Sequence, residues 1–79
     1  MSLEYADERT ARLVERSLRQ EVGGVDDDRA TTDLERDGAQ VALTIDAADL
    51  VALRAAANSW LSLVEVAERV AAAAEPHVG

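Results

Sequence analysis

Residues 25–46 read VDDDRATTDLERDGAQVALTID, and the apolar residues of this stretch recur with a period of two, which is the period of a β-strand. Apolar and polar residues alternate on both sides of Asp37-Gly38, a pair that typically forms a two-residue hairpin loop because both residues tolerate positive φ. With this pair as the loop, Leu34 is expected to lie opposite Val41. The stretch therefore predicts a β-hairpin.

In that register the two faces of the hairpin differ in polarity. The apolar face carries Leu34, Val41, Leu43 and Ile45. The polar face carries Asp33, Glu35 and Thr44. We therefore expect an antiparallel sheet that is buried on one side and exposed to water on the other.

Upstream of the hairpin, the sequence predicts a short strand followed by a helix. Residues 2–5, SLEY, alternate as a strand does, and Asp7 is a typical N-cap for a helix that begins near Glu8. One face of this helix collects the apolar side chains Ala11, Val14, Leu18 and Val22. Gly23 or Gly24 is expected to end the helix in a left-handed cap.

Downstream of the hairpin, the sequence predicts a long helix. Asp46 is its expected N-cap, and Asp49 three residues later completes a capping-box-like pair. Ile45 before the cap is expected to pack against Leu50 after it. No glycine or proline interrupts the pattern that follows, so we expect the helix to run to about Ala74, with a short tail after it.

The long helix is apolar around most of its circumference. At about 100° per residue its polar side chains form one strip. The strip contains Arg54, Asn58, Ser62, Glu65 and Arg69. One apolar flank contains Leu53, Ala57, Trp60, Leu61 and Val64, and the other contains Ala52, Ala56, Leu63, Val66 and Val70. Together the flanks cover roughly 240°, whereas a surface helix needs little more than 100°.

A small sheet cannot cover so wide an apolar surface. Two interpretations are open: the helix lies between the sheet and the first helix within one chain, or one flank contacts another chain. The short first helix favours the second. We therefore predict that a partner chain binds the flank of Leu53, Ala57, Trp60, Leu61 and Val64, with Trp60 as the anchor.

Length and composition point to one small domain over residues 1–79, with an ordered core of about 2–74. Trp60 and Tyr5 are the only aromatic residues and cysteine is absent, which argues against a large aromatic ligand pocket, a disulfide framework and a zinc site. We find no signal peptide and no apolar run of about 18 residues. The expectation is a cytoplasmic protein without a membrane partner.

The sequence predicts no catalytic residue, no cofactor and no metal site. Ser17, Ser59 and Ser62 lack a base in a suitable context, and the single histidine, His77, lies near the chain end. Residues 26–28 are three aspartates that could suggest a cation site, but they lack the alternating ligands of an EF-hand. We interpret them as a solvated loop.

Arginines on the first helix leave a further alternative open. Arg9, Arg12, Arg16 and Arg19 form one stripe, and Arg54 lies on the long helix. These five could contact RNA phosphates, as in a small nucleic-acid-binding or transcription-linked module. The other interpretation is a solvated face with Glu8–Arg12 and Glu15–Arg19 ion pairs. A net charge of −8 favours the second and limits any RNA contact to a weak or indirect one.

Residues 45–70, IDAADLVALRAAANSWLSLVEVAERV, resemble the smallest core subunit of the KEOPS complex. The resemblance is carried by Asp49-Leu50, Ala52-Leu53-Arg54-Ala55-Ala56 and Asn58-Ser59-Trp60-Leu61. It extends back through the hairpin to residues 11–18, ARLVERSL, which are similar to the family's first helix. The family usually carries a longer first strand than SLEY.

This resemblance implies an α+β fold of the order β-α-β-β-α, with a three-stranded antiparallel sheet covered on one face by two helices. It also implies a homodimer whose helices receive a helical hairpin from the catalytic subunit of KEOPS. That complex, found in archaea and eukaryotes, installs threonylcarbamoyl groups on tRNA adenosine next to the anticodon. The resemblance therefore implies a non-catalytic assembly subunit that docks the catalytic subunit.

The charge composition has two interpretations, an ordinary acidic domain or a protein adapted to concentrated salt, and we favour the second. Sixteen acidic residues stand against eight basic ones, and all eight are arginine. Carboxylates keep a surface hydrated, and at about 1 M salt the Debye length falls to about 3 Å, so that repulsion between them is screened. We interpret the chain as halophilic.

We expect the melting temperature to rise when potassium chloride is raised from low to molar concentration. Screening relieves the mutual repulsion of a chain with a net charge of −8. Thermal unfolding followed by circular dichroism measures the effect. A melting temperature that stays constant or falls would contradict the halophilic interpretation.

Overall fold

The computed structural model describes residues 1–74. Its elements are β1 (Ser2–Glu4), α1 (Glu8–Arg19), α2 (Val22–Val25), β2 (Ala30–Asp37), β3 (Gln40–Ala47) and α3 (Leu50–Ala73). The strands form one antiparallel sheet in the order β1-β3-β2, and α1 and α3 pack on its apolar face. The predicted α+β fold is confirmed, and α2 is an additional short helix.

The hairpin forms as predicted, but its turn lies one residue further along the chain. Asp37 pairs with Gln40, so Gly38 and Ala39 are the loop residues, and Leu34 lies opposite Leu43 rather than Val41. Gly38 has a φ of 61° whereas no other described residue has a positive φ, which is the pattern of a type II′ turn with glycine first. The predicted Asp37-Gly38 loop required positive φ at both residues and is wrong.

The faces of the hairpin are nevertheless those expected, because the pairing register moves by two residues and side chains alternate with a period of two. Leu34, Val41 and Leu43 are buried and Ile45 is half-buried. Asp33, Glu35 and Thr44 are exposed. The sheet therefore has one buried and one solvated face.

Helix α1 starts as predicted and ends earlier than predicted. The Asp7 carboxylate accepts a hydrogen bond from the Thr10 N–H at 2.7 Å, which confirms the N-cap. At the other end Gln20 keeps a right-handed helical backbone, and Gly23 lies inside α2 with Gly24. The predicted left-handed glycine cap is therefore wrong, because the chain turns into a second short helix instead.

Helix α3 begins three residues later than predicted. Asp46 belongs to β3 and pairs with Thr31, and the Ala48 N–H donates to the Arg29 carbonyl at 2.7 Å, so the sheet continues where the helix was expected to begin. Asp49 is the actual N-cap and accepts from the Ala52 N–H at 2.8 Å. The predicted cap at Asp46 is therefore wrong, and the packing of Ile45 against Leu50 no longer follows from a cap between them.

The far end of α3 agrees with the sequence prediction, since the helix ends at Ala73 with Ala74 as its C-cap. The predicted tail and His77 lie outside the described residues.

The core lies between the sheet and both long helices. Its buried members are Ala11, Val14 and Leu18 of α1, Leu34, Val41 and Leu43 of the sheet, and Trp60, Val64, Ala67 and Ala71 of α3. Trp60 is the largest of these side chains and has no exposed surface. Its Nε1–H donates to the Thr32 Oγ1 at 2.9 Å, so the indole ties α3 to β2 as well as filling the core.

We expect Trp60→Ala to destabilise the folded chain by about 3–5 kcal/mol, because truncating a buried tryptophan removes its packing and leaves a cavity. Trp60→Phe keeps most of the ring volume and loses the bond to Thr32, so a much smaller loss, about 1 kcal/mol, is expected from that bond. Chemical denaturation in molar salt measures both variants. A Trp60→Ala chain as stable as the parent would contradict this placement of the indole.

Candidate partner-binding surfaces

Helix α3 has one buried row and two exposed apolar flanks. The buried row is Ala52, Ala56, Trp60, Val64, Ala67 and Ala71. Around it, six large apolar side chains are between 40% and 70% exposed. They are Leu50, Val51, Leu53, Leu61, Val66 and Val70. The helix therefore presents apolar surface that the described part of the chain leaves uncovered.

The structure divides the predicted partner-binding set. Trp60 and Val64 lie in the core, with 0% and 7% of their surface exposed, so neither offers a partner a contact surface. Leu53 and Leu61 are exposed and Ala57 is half-buried between them. The row that contains Trp60 and Val64 is buried by the sheet and by α1 together, because the small side chains of that row allow close approach.

Leu53, Ala57 and Leu61 form what we call the β1-side flank. An open depression of about 440 Å³ lies between its first two residues and the end of the sheet. Its walls are Met1, Leu43, Thr44, Ile45, Leu53 and Ala57. The lining is mainly apolar, and none of these residues is charged in its side chain.

Further along α3, Tyr5 bounds this side of the molecule. Its hydroxyl donates to the Glu68 carboxylate at 2.8 Å and so fastens the chain after β1 to α3. Burial, together with the bond to Glu68 and its charge, raises the pKa of Tyr5 far above the ordinary range of a phenol. The phenol therefore stays protonated, and remains a hydrogen-bond donor, at physiological pH.

Beside the depression, β3 has an uncovered edge. Strand β1 pairs with only the first part of β3, where Ser2–Glu4 lie opposite Gln40–Ala42. Leu43 and Met1 exchange two further hydrogen bonds, of 2.8 and 2.7 Å. Within the described residues, the remaining residues 44–47 of β3 have no neighbouring strand on that side.

The uncovered edge offers regular backbone hydrogen-bonding groups. Hydrogen-bonding direction alternates along a strand, so Ile45 and Ala47 present their N–H and C=O groups on the same side as Leu43. Sequence reasoning missed this feature. A three-residue first strand beside an eight-residue third strand was the signal that could have revealed it.

The second apolar surface, which we call the α1-side flank, consists of Leu63, Val66 and Val70. These side chains border a shallow groove of about 280 Å³ between α3 and the end of α1. Its lining is Ser17, Gln20, Glu21, Leu63, Val66, Ala67 and Val70. The groove runs between two helices, which is the geometry that accepts a third helix.

The arginine stripe on α1 is largely engaged within the molecule. Arg12 pairs with Glu8 at 3.2 Å and Arg19 with Glu15 at 2.6 Å, which confirms the predicted ion pairs. Arg36 of β2 joins the network through its Nε, 2.9 Å from Glu15 Oε1. The hydrogen bond from Arg19, followed by that from Arg36, holds the pKa of Glu15 below its usual value.

The other predicted RNA-contact residues take no part in this network of ion pairs. Arg9 donates weakly to the Ala74 carbonyl, at 3.4 Å. Arg16 and Arg54 are exposed on different helices, and neither pairs with a carboxylate among residues 1–74. The arrangement stabilises α1 against the hairpin more than it prepares a surface for phosphate groups.

The aspartates of residues 26–28 bind backbone groups. Within residues 1–74, no three His, Cys, Asp or Glu side chains are grouped closely enough to hold a metal ion. Asp26 accepts from the Thr32 N–H at 3.0 Å, and Asp27 accepts from the Arg29 and Ala30 N–H groups at 2.8 and 3.0 Å. Two of the three side chains therefore have a structural role.

Helix α3 is long and apolar enough to cross a membrane, judged by length and composition only. The 18-residue window that passes has a mean hydropathy of 1.3 and is 28% buried in the fold. The core helix of a soluble protein satisfies the same criterion, and α3 supplies the largest buried side chain of this domain. The sequence analysis found no apolar run of about 18 residues, and α3 corrects that statement. The absence of a membrane partner stays a prediction.

Comparison with known proteins agrees with the resemblance seen in the sequence. The family described as "Transcription factor Pcc1" matches residues 1–72, from the first strand almost to the end of α3. No curated protein matches the chain. A match over nearly the whole chain, on the fold expected of the small KEOPS subunit, establishes that this protein belongs to the Pcc1 family.

Proposed function

We propose that this protein is a non-catalytic assembly subunit of a cytoplasmic KEOPS complex. In this role it forms a homodimer and docks the catalytic subunit, and so supports threonylcarbamoyl modification of tRNA adenosine next to the anticodon. Membership of the Pcc1 family, a family of small accessory subunits, supports the assignment to KEOPS. The proposal assigns one apolar flank of α3 to each partner.

The observation that carries the proposal is the pair of exposed apolar flanks on a helix whose third face is already buried. Single exposed apolar residues are common on monomers, but contiguous apolar surfaces mark interaction sites. A chain of 79 residues also buries too little surface to spare so many large side chains from its core. Two flanks fit an adaptor that holds two partners at once.

The β1-side flank suits a second copy of the chain. The uncovered residues 44–47 of β3 can pair antiparallel with the same residues of another copy, since an antiparallel pair can be placed around a twofold axis. Such pairing would bring the apolar depression beside Leu53 and Ala57 against its counterpart. One contact would then satisfy backbone groups and bury apolar surface together.

The α1-side flank suits the helical hairpin of the catalytic subunit. A groove between two helices accepts an amphipathic helix through ridges formed by residues three and four apart. Leu63, Val66 and Val70 have this spacing and line the groove. Because the groove lies on the α1 side of α3, the second copy and the catalytic subunit would not compete for the same residues.

Contact with tRNA is secondary in this proposal. Arg12 and Arg19 are held by Glu8 and Glu15, and the net charge is −8. Binding driven by phosphate contacts also weakens steeply as salt rises. The alternative, a transcription-linked nucleic-acid module, has the printed family description in its favour and these charges against it.

We expect Leu53→Asp/Leu61→Asp to weaken self-association at least tenfold, or about 1.4 kcal/mol, while capture of the catalytic subunit persists. Val66→Asp/Val70→Asp should have the opposite effect, because it places charges in the groove between α1 and α3. All four residues are exposed, so both variants should retain the circular dichroism of the parent. Sedimentation in molar salt and affinity capture from the native host measure the two contacts.

Ser62→Asp is the control, since it adds a charge to the polar strip of the same helix and should change neither contact. The homodimer is contradicted by a parent chain that sediments as a monomer at micromolar concentration. The assignment to KEOPS is contradicted if capture from the host recovers nucleic acid and no large ATP- and metal-binding protein. Equal effects of both double variants would contradict the division of the flanks.

A further inference from the structure

Within residues 1–74, side chains bond to several backbone groups on the free edge of β2, whereas residues 44–47 of β3 have no neighbouring strand on their free side. Strand β2 pairs with β3 on one side only. The carbonyl of Leu34 accepts from the Arg19 guanidinium of α1 at 3.3 Å, which shows that the backbone of Leu34 faces away from β3. Because direction alternates along a strand, Ala30, Thr32 and Arg36 also present their backbone groups to this outer side.

Asp26 and Asp27 occupy the first half of this edge. The Asp26 carboxylate accepts from the Thr32 N–H at 3.0 Å, and the Asp27 carboxylate accepts from the Ala30 N–H at the same distance. The Asp27 N–H donates in turn to the Ala30 carbonyl at 3.0 Å. Both backbone groups of Ala30 and the N–H of Thr32, which another strand would need, are therefore already used.

The segment that carries these two aspartates is fixed in place. The Asp26 N–H donates to the Val22 carbonyl at 2.9 Å, so the end of α2 sets the position of the carboxylate. Asp26 is half-buried, and Asp28, the third member of the run, is exposed and makes no hydrogen bond within residues 1–74. The run thus contains two residues that cover the edge and one that does not.

We propose that Asp26 and Asp27 block strand addition at β2 and so restrict association to the β3 edge. A sheet with two open edges allows head-to-tail addition of copies, which generates open filaments, whereas one open edge closes after a twofold pair. The inference rests on the proposed homodimer only for the size of the parent species. What we propose here is that the hydrogen bonds of these two carboxylates, rather than their charge, prevent another chain from pairing with the outer edge of β2.

The test compares two double variants that lose the same charge. Asp26→Ala/Asp27→Ala removes the acceptors and exposes the backbone of Ala30 and Thr32. Asp26→Asn/Asp27→Asn removes the same two charges and keeps a side-chain oxygen that can accept both bonds. Asp28→Ala is a further control, because it changes the same loop without touching the edge.

We expect the alanine variant, but neither control, to form species larger than the parent, with a mass that grows with protein concentration. Sedimentation velocity in molar potassium chloride measures this, and circular dichroism confirms that each chain is folded. If the double alanine variant does not fold, Asp26→Ala alone is compared with Asp26→Asn, because it frees only the Thr32 N–H. The same growth in mass is expected of it.

The proposal is overturned if the folded alanine variant keeps the size of the parent. It is also overturned if the alanine and asparagine variants enlarge equally, since charge would then be the cause. A monomeric parent would contradict the proposed homodimer. The role of Asp26 and Asp27 at the β2 edge could still be tested, because the alanine variant would still form larger species than the parent. The two proposals can therefore fail separately.

Discussion

A sheet of three strands covers only one face of a long helix, and this limit governs the rest of the structure. Helix α3 has 24 residues and is apolar on both flanks, but its buried row is narrow, with four alanines beside Trp60 and Val64. Trp60 fixes this row against the sheet through its packing and its bond to Thr32. Helix α1 covers a further part of α3, and the large apolar side chains that neither the sheet nor α1 covers remain available to other chains.

The same limit explains how the surfaces are distributed. The two outer edges of the sheet differ. Asp26, Asp27 and Arg19 bond to the backbone of β2, while the last residues of β3 extend past β1 and have no neighbouring strand in the described part of the chain. The uncovered edge lies beside the depression that borders Leu53 and Ala57. Backbone and apolar groups thus coincide on one side of the molecule, as an interface through strand addition requires.

Charge has a structural as well as a solvating role. Glu8 and Glu15 of α1 both pair with Arg36 of β2 and so fasten α1 to the hairpin, while Arg12 and Arg19 pair with the same carboxylates within α1. Exposed pairs of this kind each contribute little, but this network shares Glu15 between two arginines in a partly buried position. Arg12 and Arg19, two of the five arginines that could attract RNA, are thereby engaged within the fold.

Much of this architecture could be predicted from the sequence, because periodicity decides which side chains share a face. The buried face of the hairpin, the Asp7 cap and the Glu8–Arg12 and Glu15–Arg19 pairs are local and were predicted correctly. The turn and the start of α3 were misplaced because strand pairing continued to Ala47, a long-range effect.

The candidate surfaces were harder to predict. A helical wheel shows which side chains of α3 are neighbours, but it does not show which of them the sheet covers. Trp60 was for this reason assigned to a partner rather than to the core. The side-chain bonds that cover the β2 edge join residues that are apart in the sequence, and the uncovered part of β3 depends on the relative lengths of the strands. Periodicity encodes neither.

Amide hydrogen exchange at residue resolution, recorded at low and high protein concentration, tests most directly whether β3 is the edge through which copies associate. We expect the N–H groups of Ile45 and Ala47 to exchange freely in dilute protein and to become protected as concentration rises. The Thr32 N–H, already bonded to Asp26, should show the same protection at both concentrations. Free exchange of Ile45 and Ala47 in protein that has demonstrably associated would contradict association through β3.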